Sequence, residues 1–454
     1  MSGLATRRRH DGAPSADLPP GPPLSREETT FRWLAHPYSF LDECAAAYGD
    51  TFTLRFTRFG THVVVAHPDD VRDVLTGDRT LLHAGRGNGL LAPILGRHSL
   101  LVVDGDRHLA QRALLQPAFR PERIARYARF VVDATRRWTA SWDGDVTRSL
   151  QRTALEISKE VILRTVFGLA DDELDAFGRL VHDVMLLVGT NATFDEASDD
   201  ARVLARFGAA RAALDAALQE HVERRRRAPA TGDDILSLLL AARSGSGEAL
   251  ADEEIRDQLM TMVLAGHETT ASSITWALVC LHAEPDALAP ALAEIDALAR
   301  DTFEQRLVDL PYLQAVCLET LRLRPVIPVV SREVQRIFPL RDWMLPPGVF
   351  VTPSAYLAHR RADSFPDAER FRPGRFLERR FSPYAYFPFG GGVRRCIGMS
   401  FALLEMQIVL GMLLRTFRFV PADAGAVRAV RRGVTIVPSG GAKMSVTRRV
   451  AGSA

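Results

Sequence analysis

The chain has 454 residues, of which 47% are hydrophobic and 25% charged, with a formal net charge of +2. That length can bury a large core and an enclosed cofactor, and the composition is that of a folded globular protein. The near-neutral balance excludes a dedicated nucleic-acid binder, which carries a strong basic excess. The four cysteines, Cys44, Cys280, Cys317 and Cys396, are far apart with no C-x-x-C pair. A zinc site or disulfide framework is therefore not expected, and the usage fits a reducing compartment. Only Lys159 and Lys443 are lysines; with the high alanine content, this suggests a GC-rich, bacterial genome.

Residues 1–25 read as a disordered Pro/Arg-rich leader ending in Pro19-Pro20-Gly21-Pro22-Pro23. It has no apolar core, so no secretory signal is expected. Residues 38–48 predict a helix closed by Gly49. Thr51–Phe56 and Thr61–Ala66 alternate as a hairpin around Arg58-Phe59-Gly60, and Asp69–Leu75 is a short helix. Residues 82–104 form a long irregular stretch, a length that usually serves function. From Asp106 to Arg300 the pattern is almost wholly helical, punctuated near Pro117, Gly144, Gly168, Gly189, Pro229 and Gly245. The run Arg224–Arg227 reads as a solvated helix C-terminus favoured by the dipole. Asp252–His282 is one very long helix, followed by helices at about 286–299 and 311–323. Residues 326–353 are strand-like, 362–388 irregular, Ile397–Phe417 helical, and Val420–Val446 short strands. No run of about 18 apolar residues is free of polar breaks. The expectation is a cytoplasmic, monomeric, mainly α protein, with no membrane span and a single domain over 26–454. Its β-rich subdomain takes strands from about 50–66 and 326–353 plus the C-terminal strands, beside helical regions at about 106–323 and 397–417.

Three stretches carry chemistry. In Phe389–Gly398 a lone cysteine, Cys396, closes a glycine-rich loop and opens an apolar helical run. A helix N-terminus, Arg394 and Arg395 all favour a thiolate, and the glycines let backbone approach a flat ligand. That combination suits a metal ligand, haem iron in particular; the alternative is a buried free cysteine beside a turn. The loop is no dinucleotide fingerprint, since Arg395 stands where a glycine is needed. In Ala265-Gly266-His267-Glu268-Thr269-Thr270, Gly266 invites a local opening of the helix. Thr269 could hold that opening by bonding back to the carbonyl of Ala265. An acid beside an alcohol could relay protons; the alternative is a satisfied polar patch in a helical core. Ala271 stands where H-E-x-x-H needs its second histidine, so a zinc protease is rejected and His267 is a helix-face residue. Glu319 and Arg322, three apart in an apolar helix before Pro325, read as a buried ion pair.

At these residues the chain resembles the cytochrome P-450 superfamily of haem-thiolate monooxygenases, over roughly residues 25–448. Phe389–Gly398 matches the haem-binding signature, 265–270 the oxygen-activation motif, and Glu319/Arg322 the E-x-x-R motif. Pro373-Gly374-Arg375-Phe376 resembles the family's P-E-R-F element with glycine in place of glutamate, making Arg375 the third member of a structural network. The resemblance implies a haem buried between two long helices, as iron protoporphyrin IX (heme b) ligated by Cys396 and contacted by Ala265, Phe389 and Gly398. It places His108, Arg112, Arg332 and Arg394 beside the propionates, and Thr269 and Glu268 on the proton path. Electrons would come from a separate ferredoxin or flavodoxin with its reductase, docking where Arg107 to Arg126 and Arg395 make a positive face. Dioxygen is the co-substrate, and one of its atoms enters a lipophilic molecule: a terpenoid, a fatty acid or a polyketide/macrolide-like product of secondary metabolism. Leu90, Leu91, Ile94, Leu95, Leu101, Met185, Leu186, Met262, Ala265, Val326, Ile327, Val329 and Val330 are the candidate pocket walls.

Overall fold

The computed structural model describes residues 18–189, 201–227, 232–243, 247–422 and 427–449. Most of the leader, and the punctuation at Pro229 and Gly245, lie outside them. The long helix runs Asp252–Ala283 and is buried along most of its length. Three acidic residues occupy its first turn, where the dipole favours them, and Glu254 accepts the Ala251 N–H at 3.2 Å. Against it pack Leu150–Ile162, Pro311–Leu323 and Met399–Thr416, all within one apolar cluster. The helix is continuous through Gly266, with no break there. What requires glycine is the crossing helix: a Cβ at 266 would lie 2.6 Å from Ile162 Cδ1. Among the described residues only Met399–Thr416 is long and apolar enough to cross a membrane, and its side chains are largely buried in this core.

The main sheet has five strands in the order Thr51–Arg55, Thr61–Val65, Phe350–Pro353, Arg332–Val334, Leu82–His83. The first two form the predicted hairpin, with Thr51 opposite Val65. Thr61–Val65 then runs parallel to Phe350–Pro353, which unites strands from both ends of the chain. The C-terminal strands do not join this sheet, contrary to the single β subdomain expected. Lys443–Arg448 pairs on one side with Phe417–Pro421 and on the other with Val146–Ser149, a strand inside the stretch that reads as helical. Ala429–Arg432 and Thr435–Pro438 form a separate hairpin. A helix at Arg26–Ala35, also unexpected, is capped by Ser25 Oγ on the Glu28 N–H. The arginine run Arg224–Arg227 is not simply solvated, because each guanidinium has an acid: Glu173, Asp234, Asp252 and Glu223 in turn.

The 82–104 stretch is tied at both ends. Asp104 accepts the backbone N–H groups of Ala84 (3.0 Å), Gly85 (2.9 Å) and Arg86 (3.1 Å). Near its C-terminal end, Asp257 takes the His98 N–H (3.0 Å), Gln258 the Leu100 N–H (3.2 Å), and Thr261 bonds the Ser99 hydroxyl (2.6 Å). These are consecutive turns of the long helix, so residues 98–100 are fixed to it.

One buried acid gives a stability prediction. Glu405, on Met399–Thr416, accepts a hydrogen bond from Ser158 (2.5 Å), while its other oxygen has no partner among the described residues. Burial pushes its carboxyl up to about 7. A folded value above the unfolded one, about 4.3, stabilises the fold below that unfolded value, and the contribution is lost as pH rises through about 7. The loss should be on the order of 3 kcal/mol. Melting temperatures of the wild type and Glu405→Gln between acid and alkaline pH should diverge, with the glutamine variant gaining at the alkaline end. Parallel curves would show that Glu405 titrates as an ordinary carboxylate.

Candidate active site

Cys396 lies three residues before the helix Met399–Thr416, whose N-cap is Gly398. The helix therefore begins slightly later than the sequence predicts. The Cys396 N–H donates to Phe389 O (2.9 Å) and the Arg395 N–H to Gly392 O (3.1 Å), which folds the loop back on itself. Gly392 has φ +62, and a Cβ there would run into the carbonyl oxygen of Leu75. That glycine thus serves a backbone crossing with the helix Pro68–Leu75, rather than a close approach to ligand.

The thiol lies deep in the protein and yet keeps exposed surface. Burial pushes its pKa up, and this outweighs the Gly398 N–H, Arg112 and Arg395, which favour the thiolate. The expected lowering is therefore absent from the free thiol. Metal coordination deprotonates a cysteine outright, so ligation, more than local charge, would supply the thiolate. Cys44, Cys280 and Cys317 are by contrast buried in apolar packing.

Arg112 and Arg395 lie close enough to Cys396 to favour its thiolate, and further basic groups cluster with Arg394. Arg112 is half-buried and Arg332 buried, and neither has a carboxylate partner among the described residues. Burial lowers Arg332 to about 10, with Arg394 adding to the shift. His108 is buried and brought down to about 4 by desolvation, Arg394 and Arg112, so it is neutral at physiological pH, with one ring N–H available to donate. Arg394 pairs with Asp104 and also donates to Leu100 O (3.2 Å). His108, Arg332 and Arg394 line one cavity together with Asp104 and Leu75. Arg112 and Arg332 without acids, together with an exposed cysteine, are a donor set that fits a metal macrocycle carrying carboxylates.

On the long helix, Ala265 is exposed although residues 259–264 before it are buried. Thr269 Oγ1 donates to Ala265 O at 2.6 Å, the back-bond the sequence suggests. His267 is buried, bonded to Leu155 O (3.1 Å), and held neutral by burial, with a value of about 3. Glu268 is half-buried; burial raises its pKa, while Arg432 and Thr435 favour the carboxylate. Sequence reasoning missed Arg432, for which no local signal exists.

Glu319, Arg322 and Arg375 come together with almost no exposure. Arg322 donates to Glu319 through Nε (2.7 Å) and Nη2 (2.9 Å), and Arg375 Nε to Glu319 Oε1 (3.1 Å). The Arg372 N–H (2.8 Å) adds a fourth donor. Gly374, in place of the family's glutamate, leaves this contact intact.

The candidate pocket walls are dispersed. Ile94 and Leu95 are fully enclosed in the main core, and Leu91, Met185 and Met262 are buried in the same cluster. Leu101 packs half-buried against it, Val326 is buried, and Ile327 is half-buried. Val329 packs against the cluster of Tyr38 and Phe52, Val330 against that of Val63 and Val351, and Leu186 is exposed. The Leu90 side chain lies outside the described residues.

This fold and donor set define a helical enzyme built around a thiolate-ligated metal macrocycle. The cytochrome P-450 family model matches residues 19–444. A Mycobacterium tuberculosis protein provisionally named cytochrome P-450 135B1 is 36% identical over 441 residues, covering 96% of this chain and 92% of that protein. A Mycobacterium bovis protein provisionally named cytochrome P-450 138 is 32% identical over 446 residues, covering 96% and 98%. A retinoic acid-bound cyanobacterial CYP120A1 shares the fold, with a TM-score of 0.85, 24% identity, and 96% and 100% of the two chains covered. The chain belongs to the cytochrome P-450 family and is a monooxygenase, with haem held by a cysteine thiolate.

Proposed function

We propose that residues 26–454 form one catalytic unit, with 1–25 a leader, in which Cys396 ligates the haem iron. In this reading a lipophilic small molecule is hydroxylated above Ala265. The observation that carries it is that Cys396 is exposed, and that Ala265 is exposed on the long helix directly after six buried residues. Bound haem supplies the activation of dioxygen, with overall balance substrate–H + dioxygen + two electrons + two protons giving substrate–OH + water. The chain's own residues do the rest. Arg112, Arg332, Arg394 and neutral His108 would hold the propionates, and Phe389 and Gly398 shape the cysteine loop. Glu268 and the Thr269 hydroxyl supply the protons. Glu319, Arg322 and Arg375 hold the segment that leads into the cysteine loop.

The apolar candidates Leu91, Leu101, Met262, Val326 and Ile327 favour a terpenoid, fatty acid or macrolide-like substrate. The retinoic acid named for the cyanobacterial neighbour is a suitable first probe. Titration with retinoic acid and a fatty-acid series should shift the iron from low to high spin for a productive ligand. If only polar compounds shifted it, the lipophilic assignment would fall. Electrons come from a separate ferredoxin or flavodoxin. Asp233 already pairs with Arg123 and Arg126, so the exposed Arg107, Arg120 and Arg395 are left as the positive contacts without a carboxylate partner among the described residues. Thr269→Ala should retain haem and raise hydrogen peroxide release per electron pair about 10-fold or more, within the range for lost acid–base groups. Unchanged coupling would remove Thr269 from the proton path.

A further inference from the structure

Arg431 lies on the hairpin Ala429–Arg432/Thr435–Pro438, opposite Ile436. Side chains alternate along a strand, so it faces away from Arg432, which reaches Glu268 on the long helix. Its guanidinium lies 5.2 Å from the centre of the Trp33 ring, and its Nε donates to Gly433 O (2.8 Å). Gly433 opens the turn with φ +57, so the head is folded back over its own hairpin. Nη1 and Nη2 have no hydrogen-bond or carboxylate partner among the described residues. Burial alone brings the Arg431 pKa down to about 10, the value Arg332 reaches beside His108 and Arg394. A guanidinium withdrawn from water with no acid beside it costs the fold free energy that a bound anion would return.

The surroundings of Arg431 are apolar. Trp33, Phe59 and Val329 pack against the cluster that holds Phe56 and Ile436. Phe59 also packs against the main core, as does Val434 at the hairpin tip, and that core includes Met262 and Leu264 of the long helix. Phe59 and Val434 are half-buried, so an apolar strip leads from Trp33 around the turn toward the helix that carries Ala265. The hairpin is fixed beside this strip: Trp276 Nε1 donates to Ile436 O (3.2 Å), and the Ile436 N–H donates to Val326 O (2.9 Å). We propose that Arg431 anchors the carboxylate of the substrate, which is therefore a lipophilic acid whose tail runs past Phe59 and Val434 toward Ala265. The inference rests on the lipophilic reading of the substrate and narrows it to a fatty acid or a terpenoid acid. The planar fork of a guanidinium suits a carboxylate, and Nη1 and Nη2 are the two donors free to take it. Trp33 covers the face of the guanidinium and leaves that edge open.

The test uses the full-length haem protein at slightly alkaline pH, where the acids are ionised. Dissociation constants are read from the low- to high-spin shift for two matched pairs, palmitic acid with hexadecanol and retinoic acid with retinol. The wild type is expected to bind at least one acid about 10- to 100-fold more tightly than its alcohol, the scale of a hydrogen bond to a charged group. The pair that shows the preference tells a fatty acid from a terpenoid acid. Arg431→Gln should abolish the preference by weakening the acid while leaving the alcohol unchanged. If neither acid bound the wild type more tightly than its alcohol, the anchor would be overturned and the lipophilic reading would stand. No spin shift with any of these compounds would overturn both. A preference that survives in Arg431→Gln would overturn the inference. Equal weakening of acid and alcohol would assign the side chain to packing on Trp33 and also overturn it. Should Arg431→Gln fail to retain haem, Arg431→Met keeps the stem on Trp33 and removes the charge. A lost preference there supports the inference, and a retained one overturns it.

Discussion

Glu319→Ala is expected to destabilise the protein by about 3–5 kcal/mol and to abolish most haem incorporation. The carboxylate has no exposed surface and accepts four donors, two from Arg322 and one each from Arg375 Nε and the Arg372 N–H. Its removal strands two buried guanidiniums, and a buried charge without its partner costs far more than a surface pair returns. The effect should reach the haem site through a short chain of contacts. Arg322 also donates to His359 O (2.8 Å), and His359 Nε2 accepts the Phe387 N–H (2.9 Å), two residues before the cysteine loop. Burial keeps His359 neutral, as an acceptor must be. Urea unfolding of the wild type, Glu319→Ala and Glu319→Gln measures the cost, with the glutamine variant intermediate because it keeps the shape and one acceptor. A loss in the alanine variant below about 1 kcal/mol, the scale of exposed pairs, would contradict a buried network.

Cys396→Ser is expected to reduce monooxygenase turnover to background. A serine oxygen is a poorer donor than thiolate sulfur, and the electron density a thiolate gives to iron drives oxygen–oxygen cleavage. The substitution is nearly isosteric and Cys396 is an exposed residue, so the fold should survive. Cys317→Ser is the control. That thiol is fully buried in the core and burial raises its pKa, so its loss should lower stability without touching the iron. Near-normal turnover in Cys396→Ser would remove this cysteine from the active site.

How much of this was legible in the sequence depended on distance along the chain. The long helix is placed to within one residue at its C-terminus, because a sustained apolar pattern with acidic residues at its start is a local signal. The Thr269 to Ala265 bond and the Glu319–Arg322 pair are equally local, at i,i+4 and i,i+3. The helix Arg26–Ala35 has a local signal too, Ser25 with Glu28 three residues on, set against the proline-rich leader that precedes it. Other features had no local mark. Asp257 reaches His98 across 159 positions, and Arg432 reaches Glu268 from the far end of the chain. Val146–Ser149 becomes a strand only because Lys443–Arg448 lies alongside it, a tertiary override of a short ambiguous segment. Apolar residue type could not separate pocket wall from core: Ile94 and Leu95 look like lining residues and are enclosed. Nor could local charge settle the state of Cys396, since burial outweighs the arginines and the Gly398 N–H that favour the thiolate.

The central claim is that Cys396 ligates haem iron as a thiolate, and the reduced carbon monoxide complex of the full-length protein tests it most directly. The account predicts the red-shifted absorption band of a thiolate-ligated haem in the wild type and its absence in Cys396→Ser. An imidazole-type carbon monoxide spectrum in the wild type, or a thiolate band that persists in Cys396→Ser, would contradict it.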